Sequence, residues 1–180
     1  MRSDNDNDTA AALRARARRG FTLVEILIVV VIIGILASMV VPQFSNASHQ
    51  ARENTLKDDL RYLRTQIAVF KAQHRDVAPG YPNGDASSLP SDDTAFVEQM
   101  TKFSDMNCAT SDTATSTFKF GPYLTRMPPN PLSEKSAVKM TTTLTFDNSN
   151  TFGWLYNPVT QQIVANNDGT DSNGQAYISY

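Results

Sequence analysis

The sequence has very few residues that cross-link a chain or bind zinc. Cys108 is the only cysteine in 180 residues. A disulfide requires two cysteines and a cysteine-type zinc site requires several, so both are excluded within this chain. With 41% hydrophobic and 19% charged residues, the chain contains enough apolar material for one modest domain in addition to an apolar anchor.

Positive charge is scarce beyond the N-terminus. Residues 1–20 contain five arginines and three aspartates, whereas the remainder contains 11 lysines and arginines against 15 aspartates and glutamates. No part of this remainder forms a basic stripe with interleaved aromatic residues, which is the sequence pattern of nucleic-acid binding. We therefore expect no nucleic-acid partner.

Catalytic patterns are also missing from the sequence. It contains no nucleophile elbow, phosphate-binding loop or zinc-hydrolase motif. His49 and Glu53 are one helical turn apart, but no third metal ligand accompanies them. We expect that the chain is not an enzyme and that Cys108, in a polar loop, is an incidental thiol.

A long apolar run is the most prominent feature that is present. Residues 26–41 are interrupted only by Gly34 and Ser38, and with residues 21–24 the run reaches the roughly 20 residues that a bilayer requires. Arginines precede the run and no comparable cluster follows it. The positive-inside rule then predicts a cytoplasmic N-terminus and a C-terminal part on the other side of the membrane.

Whether a small residue stands before or after the apolar run distinguishes two kinds of N-terminal leader. An ordinary secretory signal peptide needs a small-x-small cleavage site after its apolar core, but here Ala37 and Ser38 are followed by Met-Val-Val-Pro. The small residue instead stands before the core, as Gly20 between arginine and Phe21. The stretch RRGFTLVE resembles the processing site of the type IV pilin and type II secretion pseudopilin family, the class III prepilin signal.

This resemblance implies a processing reaction and a fold. In the family, a membrane prepilin peptidase cuts on the cytoplasmic side, here between Gly20 and Phe21, and methylates the new amine of Phe21. The implied architecture is the α+β pilin fold, a long N-terminal helix packed on a small antiparallel β-sheet. Residues 1–20 are then a cleaved leader, 21–42 the transmembrane and assembly half of the helix, and 43–74 its amphipathic half.

The resemblance also implies partners and a location. The expected partners are further copies of the chain, the prepilin peptidase and methyltransferase, an inner-membrane assembly platform and minor pseudopilins. The expected location is the bacterial inner membrane, crossed once, with residues 75–180 forming a periplasmic or extracellular globular domain. The assembled form would be a periplasmic or surface filament.

Glu25 is a carboxylate inside the apolar run. A charge at a bilayer centre costs about 2.5–3.5 kcal/mol by insertion scales, so such residues are usually functional. One interpretation is that Glu25 lies near the interface, reaches water and has no further role. The other is that cleavage creates an amine at Phe21, one turn away, which Glu25 neutralises in its own chain or, as the resemblance favours, in a neighbouring subunit during assembly.

Two further positions match the family's assembly helix. Gly34 and Pro42 are weak points in a helix, because glycine is flexible and proline lacks a backbone donor. The resemblance implies that the helix between them melts within a filament and lends it extensibility. A free subunit is expected to be helical throughout.

The amphipathic half of the helix should carry the core of the globular domain. An apolar stripe recurs at spacings of four and three residues, which is the helical period; its members are Leu56, Leu60, Leu63, Ile67 and Phe70. His74 follows at the predicted helix end, where a cation is favourable.

The globular domain should combine a loop region with a sheet. Residues 75–116 are dense in small and polar residues and predict a loop, interrupted by a short helix that begins at Asp92 or Asp93 and buries Phe96, Met100 and Phe103. The proline-rich residues 121–133 are excluded as a central strand and resemble the loop before the sheet in major pseudopilins. Alternating residues 138–146 and a hairpin around 157–160 predict three antiparallel strands within 117–180.

A loop near the C-terminus offers oxygen ligands. NNDGTDSNGQ places Asp168, Asp171 and Asn173 within six residues, and calcium prefers such carboxylate and amide oxygens. The loop lacks the EF-hand spacing, so a solvated turn is the alternative. Major pseudopilins carry calcium in this loop, so the resemblance adds calcium as a possible but not required cofactor.

Three functions are consistent with the sequence. The favoured one is a type II secretion pseudopilin resembling the major subunit, a structural protein that supports protein export. The second is a type IV pilin of a surface fibre used in adhesion, twitching or DNA uptake. The third is a single-pass membrane-anchored binding protein or enzyme that never polymerises, and this last protein would retain residues 1–20.

Overall fold

The computed structural model describes residues 20–87 and 93–180, which form two compact units. The first unit extends to Ser45 and the second comprises Asn46–Tyr180. Helix α1 spans Leu23–Gln73, so the long N-terminal helix predicted from the sequence is confirmed. The predicted leader, apart from Gly20, lies outside the described residues. The predicted segment boundaries at 20/21, 42/43 and 74/75 stay predictions.

The described part of the first unit is an apolar helix whose large apolar side chains are all exposed. Every large apolar side chain from Phe21 to Phe44 is at least 45% exposed. The helix is long and apolar enough to cross a membrane. A helix that is hydrophobic on all faces needs an apolar environment, which lipid or the apolar helices of other chains can supply. The backbone of Pro42 is helical, as expected for a free subunit.

The second unit is built on the amphipathic half of α1. The five residues of the predicted stripe, Leu56, Leu60, Leu63, Ile67 and Phe70, are all at most 4% exposed, so the predicted core face is confirmed. They pack in one hydrophobic cluster with side chains from the rest of the unit, including Phe96, Met100, Leu124, Trp154, Tyr156 and Ile163. Burying each such side chain contributes roughly 1.5–3 kcal/mol, so α1 is the main support of the unit.

The short helix begins as predicted, directly after its N-cap residue Asp93, and differs from its prediction at its C-terminal end. Helix α2 spans Thr94–Thr101 and buries Phe96 and Met100 as expected. Phe103 was expected on the same helix, but it lies in strand β1 (Phe103–Ser104), which pairs antiparallel with β2 (Thr110–Ser111). At the other end, the Asp93 carboxylate does not cap the helix and instead accepts a 2.7 Å hydrogen bond from the Met140 amide.

A three-stranded sheet completes the unit. Its strands are β3 (Val138–Met140), β4 (Trp154–Asn157) and β5 (Gln162–Ala165), in the order β3-β4-β5. The hairpin of β4 and β5 is antiparallel, as predicted, and the Asn157 side chain accepts hydrogen bonds from the two turn amides of Val159 and Thr160. The α+β fold class is therefore confirmed.

One strand pairing differs from the expectation of three antiparallel strands. Strand β3 ends at Met140 and runs parallel to β4, with Val138 opposite Trp154. A parallel pair needs a crossover of about a dozen residues or more, and residues 141–153 provide one. The alternation beyond Met140 therefore belongs to the crossover, whose Thr141 hydroxyl bonds Thr143 backbone instead of continuing the strand.

The proline-rich segment supports the sheet without joining it. Residues 121–133 contain no strand, as predicted, and the Pro128 carbonyl accepts a 2.9 Å hydrogen bond from the Trp154 indole. Asn130 is fully buried. Its side-chain Nδ2 donates to Gly153 O and Asn167 Oδ1, and its side-chain Oδ1 accepts from the backbone amides of Leu132 and Ser133. Asn130 thus uses both its donors and both its lone pairs to fix this segment against β4.

His74 is a buried neutral residue and not the helix-end cation expected from the sequence. Its ring is fully buried and stacks on Phe70 at 3.9 Å between centroids. Nδ1 lies 2.7 Å from the Phe70 carbonyl, which can only accept, so Nδ1 carries the proton and Nε2 accepts from the Ser104 hydroxyl at 3.0 Å. Burial lowers the pKa of His74, which favours the neutral ring.

Acidification from about pH 7.5 to about pH 5.5 is expected to lower the free energy of unfolding by about 1 kcal/mol through His74. An unfolded histidine takes up a proton near pH 6.5, whereas the lowered pKa of folded His74 resists protonation. The contribution is fully present above pH 6.5 and is lost as the pH falls towards the folded pKa. Urea unfolding followed by Trp154 fluorescence measures it, and the non-titrating His74→Gln variant should lose correspondingly less over the same interval. Equal losses in the two proteins would assign the effect to other groups.

Candidate processing and assembly site

The predicted scissile bond lies in open, non-helical backbone. Residues 20–22 precede α1, and both Gly20 and Phe21 are exposed, Phe21 to 77%. Among residues 20–87 and 93–180, no atom beyond the chain neighbours lies within 4 Å of the position that a Cβ at Gly20 would occupy. Exposed, non-helical backbone is the usual substrate of a protease, so the bond is accessible to one.

Thr22 and Glu25 begin the helix together. The Thr22 hydroxyl accepts a 3.1 Å hydrogen bond from the Glu25 amide, and the Thr22 amide donates to Glu25 Oε2 at 3.4 Å. This reciprocal arrangement is a capping box, which satisfies two helix donors that lack backbone partners. Thr22 is absent from the residues predicted above, although the Ser/Thr-x-x-Glu pattern in TLVE is its signal. The box places the Glu25 carboxylate at the end of the helix nearest the scissile bond.

Glu25 has no charged neighbour within its own apolar segment. It is the only charged residue between Gly20 and Ser45, and all the large apolar side chains of this range are exposed. An amine generated at Phe21 would place a cation four positions before Glu25 in the chain. The roles of Gly20 and Phe21 in processing, and of Glu25, Gly34 and Pro42 in assembly, stay predictions.

The C-terminal loop is held by the buried carboxylate of Asp171, whose side chain is 1% exposed. Oδ1 accepts 2.8 Å hydrogen bonds from the Asn173 and Gln175 amides. Oδ2 accepts from the Tyr180 hydroxyl at 2.7 Å and from Lys57 Nζ at 3.3 Å. The Tyr180 bond is the largest cause of a pKa of Asp171 that lies well below its usual range, and the two amides and Lys57 act in the same direction.

Glu53 is a second buried carboxylate that ties the same segment to α1. Its Oε1 accepts from Tyr177 OH at 3.0 Å and from the Ser172 amide at 3.2 Å, and its Oε2 accepts from Ser172 Oγ at 3.1 Å. His49 Nδ1 lies 3.1 Å from Oε1. Burial by itself raises the pKa of Glu53, but the hydrogen bonds from Tyr177 and Ser172 outweigh it and lower the pKa. The pair His49 and Glu53 is thus part of a structural contact between helix and loop.

The two aspartates among the predicted calcium ligands make different contacts. Asp171 faces Lys57 and Tyr180, whereas the exposed Asp168 accepts from the Gly169 amide. Within residues 20–87 and 93–180, no three His, Cys, Asp or Glu side chains are grouped as metal ligands. The donor set therefore does not fit calcium, and binding by Asp168, Asp171 and Asn173 stays an untested prediction.

Cys108 has the character of a structural thiol. The side chain is 2% exposed, and burial raises its pKa to about 11. A thiol with so high a pKa is almost entirely protonated at neutral pH, and the thiolate is the reactive form. The geometry agrees with its interpretation as an incidental cysteine.

Comparison with known proteins gives a match to one family and matches to individual relatives that each cover about a third of the chain or less. Residues 15–41 match the family of the prokaryotic N-terminal methylation motif. Type II secretion system core protein G of Pseudomonas aeruginosa is 44% identical over 52 residues, which are 29% of this chain and 37% of that protein. The core protein G of Escherichia coli is 42% identical over 53 residues, with the same two coverages.

A type IV pilin matches to a similar degree. The type IV major pilin protein PilA of Myxococcus xanthus is 45% identical over 58 residues, which are 32% of this chain and 26% of that protein. The chain thus spans only about a quarter to two fifths of the length of these relatives. No solved structure matches it.

The matched family segment contains the accessible Gly20–Phe21 bond, the Thr22–Glu25 capping box and the apolar part of α1. The resemblance drawn from RRGFTLVE is confirmed by the comparisons. This chain carries the prepilin-type N-terminal methylation motif, and over about three tenths of its length it is similar to type II secretion system core protein G and to type IV pilins.

Proposed function

We propose that this protein is a structural subunit of a type II secretion pseudopilus. In this role the chain is cut after Gly20, methylated at Phe21 and polymerised through its apolar helix to support protein export. The observation that carries the proposal is the placement of Glu25. It is the only charged residue of an exposed apolar segment, and it is held one turn from a bond whose cleavage produces a cation.

The charges at this end of the helix explain why cleavage should precede assembly. Before the cut, a packed array of these helices would bury one uncompensated carboxylate in each subunit. An unpaired charge in a low-dielectric environment is costly, whereas a hydrogen-bonded pair is tolerated. The amine of Phe21 supplies the missing partner, and pairing with the Glu25 of a neighbour would also fix the register between subunits.

The proposed topology follows from the same segment. The apolar part of α1 crosses the inner membrane once, with the arginine-rich residues before Gly20 in the cytoplasm and the second unit in the periplasm. Its partners in this role are other copies of the chain, the prepilin peptidase, the assembly platform and minor pseudopilins. The role is structural and not enzymatic, and it requires no cofactor.

Protein isolated from its native membrane is expected to begin at N-methylated Phe21 and to lack residues 1–20. Intact-mass measurement and sequencing of the N-terminal peptide test this directly. A membrane-anchored protein that never polymerises would retain Met1. Finding Met1 on the membrane-embedded form would therefore eliminate the processing proposal and everything that depends on it.

A type IV pilin is the second candidate function, because the Myxococcus relative is a type IV major pilin of comparable identity. The two functions differ in what deletion of the gene removes. Loss of a pseudopilin would leave export substrates inside the cell and spare surface fibres. Loss of a pilin would remove the fibres and spare export, so secreted-protein analysis and electron microscopy of the same deletion strain separate them.

A further inference from the structure

The charge of Asp171 is compensated by a cation from the chain itself. Lys57 Nζ lies 3.3 Å from Oδ2 of this carboxylate, whose side chain is 1% exposed. The ammonium group also lies 4.5 Å from the centroid of the Tyr180 ring, which offers it the negative face of an aromatic system. Lys57 is thus held from two sides next to the one buried carboxylate of the C-terminal loop.

The oxygens of Asp171 have no capacity left for a further ligand. An ionised carboxylate has about four lone-pair positions. Two backbone amides occupy Oδ1, and the Tyr180 hydroxyl and Lys57 occupy Oδ2. Calcium takes six to eight oxygen ligands, so it would have to displace Lys57 before it could use this residue.

Glu53 is satisfied in the same way one helical turn before Lys57. Three donors from Ser172 and Tyr177 and the His49 ring nitrogen surround its two oxygens. The two carboxylates therefore fasten the C-terminal segment to α1 from both directions, one from the loop to the helix and one from the helix to the loop.

We propose that Lys57 is the permanent cation of the C-terminal loop, so that this loop folds on α1 without a divalent metal. The contacts with Asp171 replace those that a bound calcium ion would make in such a loop. The proposal rests on the second unit alone and does not depend on how the N-terminus is processed or assembled. It also predicts which substitution would make the loop unstable.

Thermal unfolding of the full-length protein in detergent tests the proposal. Trp154 is the only tryptophan and is fully buried in the second unit, so its fluorescence reports this unit. The Tm of the wild-type protein is expected to change by less than about 2 °C when EDTA or calcium chloride is added, since neither changes the population of a protein that does not bind the ion. A fall in Tm with EDTA that calcium reverses, or a calorimetric calcium-binding isotherm, would overturn the proposal.

Substitution of the lysine gives an independent measurement. Lys57→Met leaves the buried Asp171 charge unpaired, and a loss of about 10 °C in Tm is expected. The matched control is Lys71→Met on the same helix. Lys71 pairs at 3.2 Å with Asp76, whose side chain is 85% exposed, so a change within about 2 °C is expected.

A double variant distinguishes charge compensation from loss of packing. Lys57→Met combined with Asp171→Asn removes both charges and should regain a substantial part of the Tm lost by Lys57→Met alone. Equal Tm values for Lys57→Met and the wild type would overturn the proposal. If Lys57→Met does not fold at all, the wild-type response to EDTA and calcium still decides the question.

Discussion

Glu25→Leu is expected to be cleaved after Gly20 and to reach filaments at less than a tenth of the wild-type yield. The scissile bond stays exposed and outside the helix, so the peptidase still has access to it. The amine released at Phe21 then lacks a carboxylate, and an uncompensated charge in a bilayer-like environment costs about 2.5 kcal/mol or more, which corresponds to roughly a 60-fold change in an equilibrium constant. Immunoblots of membranes measure cleavage, and sheared or cross-linked filament fractions measure yield; Glu25→Ala should behave in the same way.

Two further variants separate the charge of Glu25 from its capping role. Glu25→Gln keeps an oxygen that can accept from the Thr22 amide but removes the charge, so it should assemble as poorly as Glu25→Leu. Thr22→Val removes the hydroxyl that caps the Glu25 amide and keeps the charge, so most of the filament yield should remain. Normal yield from Glu25→Gln would refute charge pairing and would leave the capping box as the reason for a glutamate at this position.

Gly153→Ala is expected to destabilise the second unit by about 3–5 kcal/mol, which is enough to unfold many domains. A Cβ at Gly153 would lie 2.0 Å from the Lys135 carbonyl oxygen and 3.2 Å from Asn130 Cβ. The Lys135 carbonyl oxygen is a backbone atom, and its position is fixed because the backbone N–H of Asn130 donates a hydrogen bond to it. The Gly153 carbonyl in turn accepts from Asn130 Nδ2 and the Asn166 amide, so relief of the clash would break buried hydrogen bonds.

Gly174→Ala is the control for this substitution. Nothing lies within 4 Å of a Cβ at Gly174, but its φ of 83° is unfavourable for alanine and should cost about 1–2 kcal/mol. Comparing the stability losses of the two variants therefore distinguishes the cost of a steric clash from the cost of backbone strain alone. Urea unfolding followed by Trp154 fluorescence gives both values, and a smaller loss for Gly153→Ala than for Gly174→Ala would show that the segment around Lys135 moves easily.

Patterns local in sequence predicted most of the architecture. The apolar run, the period of the stripe from Leu56 to Phe70 and the turn at Asn157-Pro158 each identified an element that the structure contains. The N-terminal motif was equally local, because Gly20, Phe21 and Glu25 lie within six residues. These patterns can be recognised in the sequence because they depend on neighbouring residues and not on contacts between distant segments.

Contacts between distant segments could not be predicted. Lys57 and Asp171 are 114 positions apart, and Glu53 and Tyr177 are 124 positions apart. A lysine on a helix has the same sequence signature whether it is solvated or paired, so the sequence alone left both a calcium site and a solvated turn open for the aspartate-rich loop. The parallel direction of β3 was hidden for a similar reason, because alternation predicts a strand but carries no information on the direction of its partner.

The exposure of the apolar segment has a consequence for how this gene can change. The large apolar side chains from Leu23 to Val41 are all at least 45% exposed. Substitutions among them should therefore depend mainly on lipid and on other subunits, which accept many apolar residues of similar size. Substitutions around Leu60, Asn130 and Gly153 must instead fit a single close-packed interior. The two parts of one reading frame are thus under different selection, and a library of random variants should tolerate conservative apolar exchanges in the first part far more often than in the second.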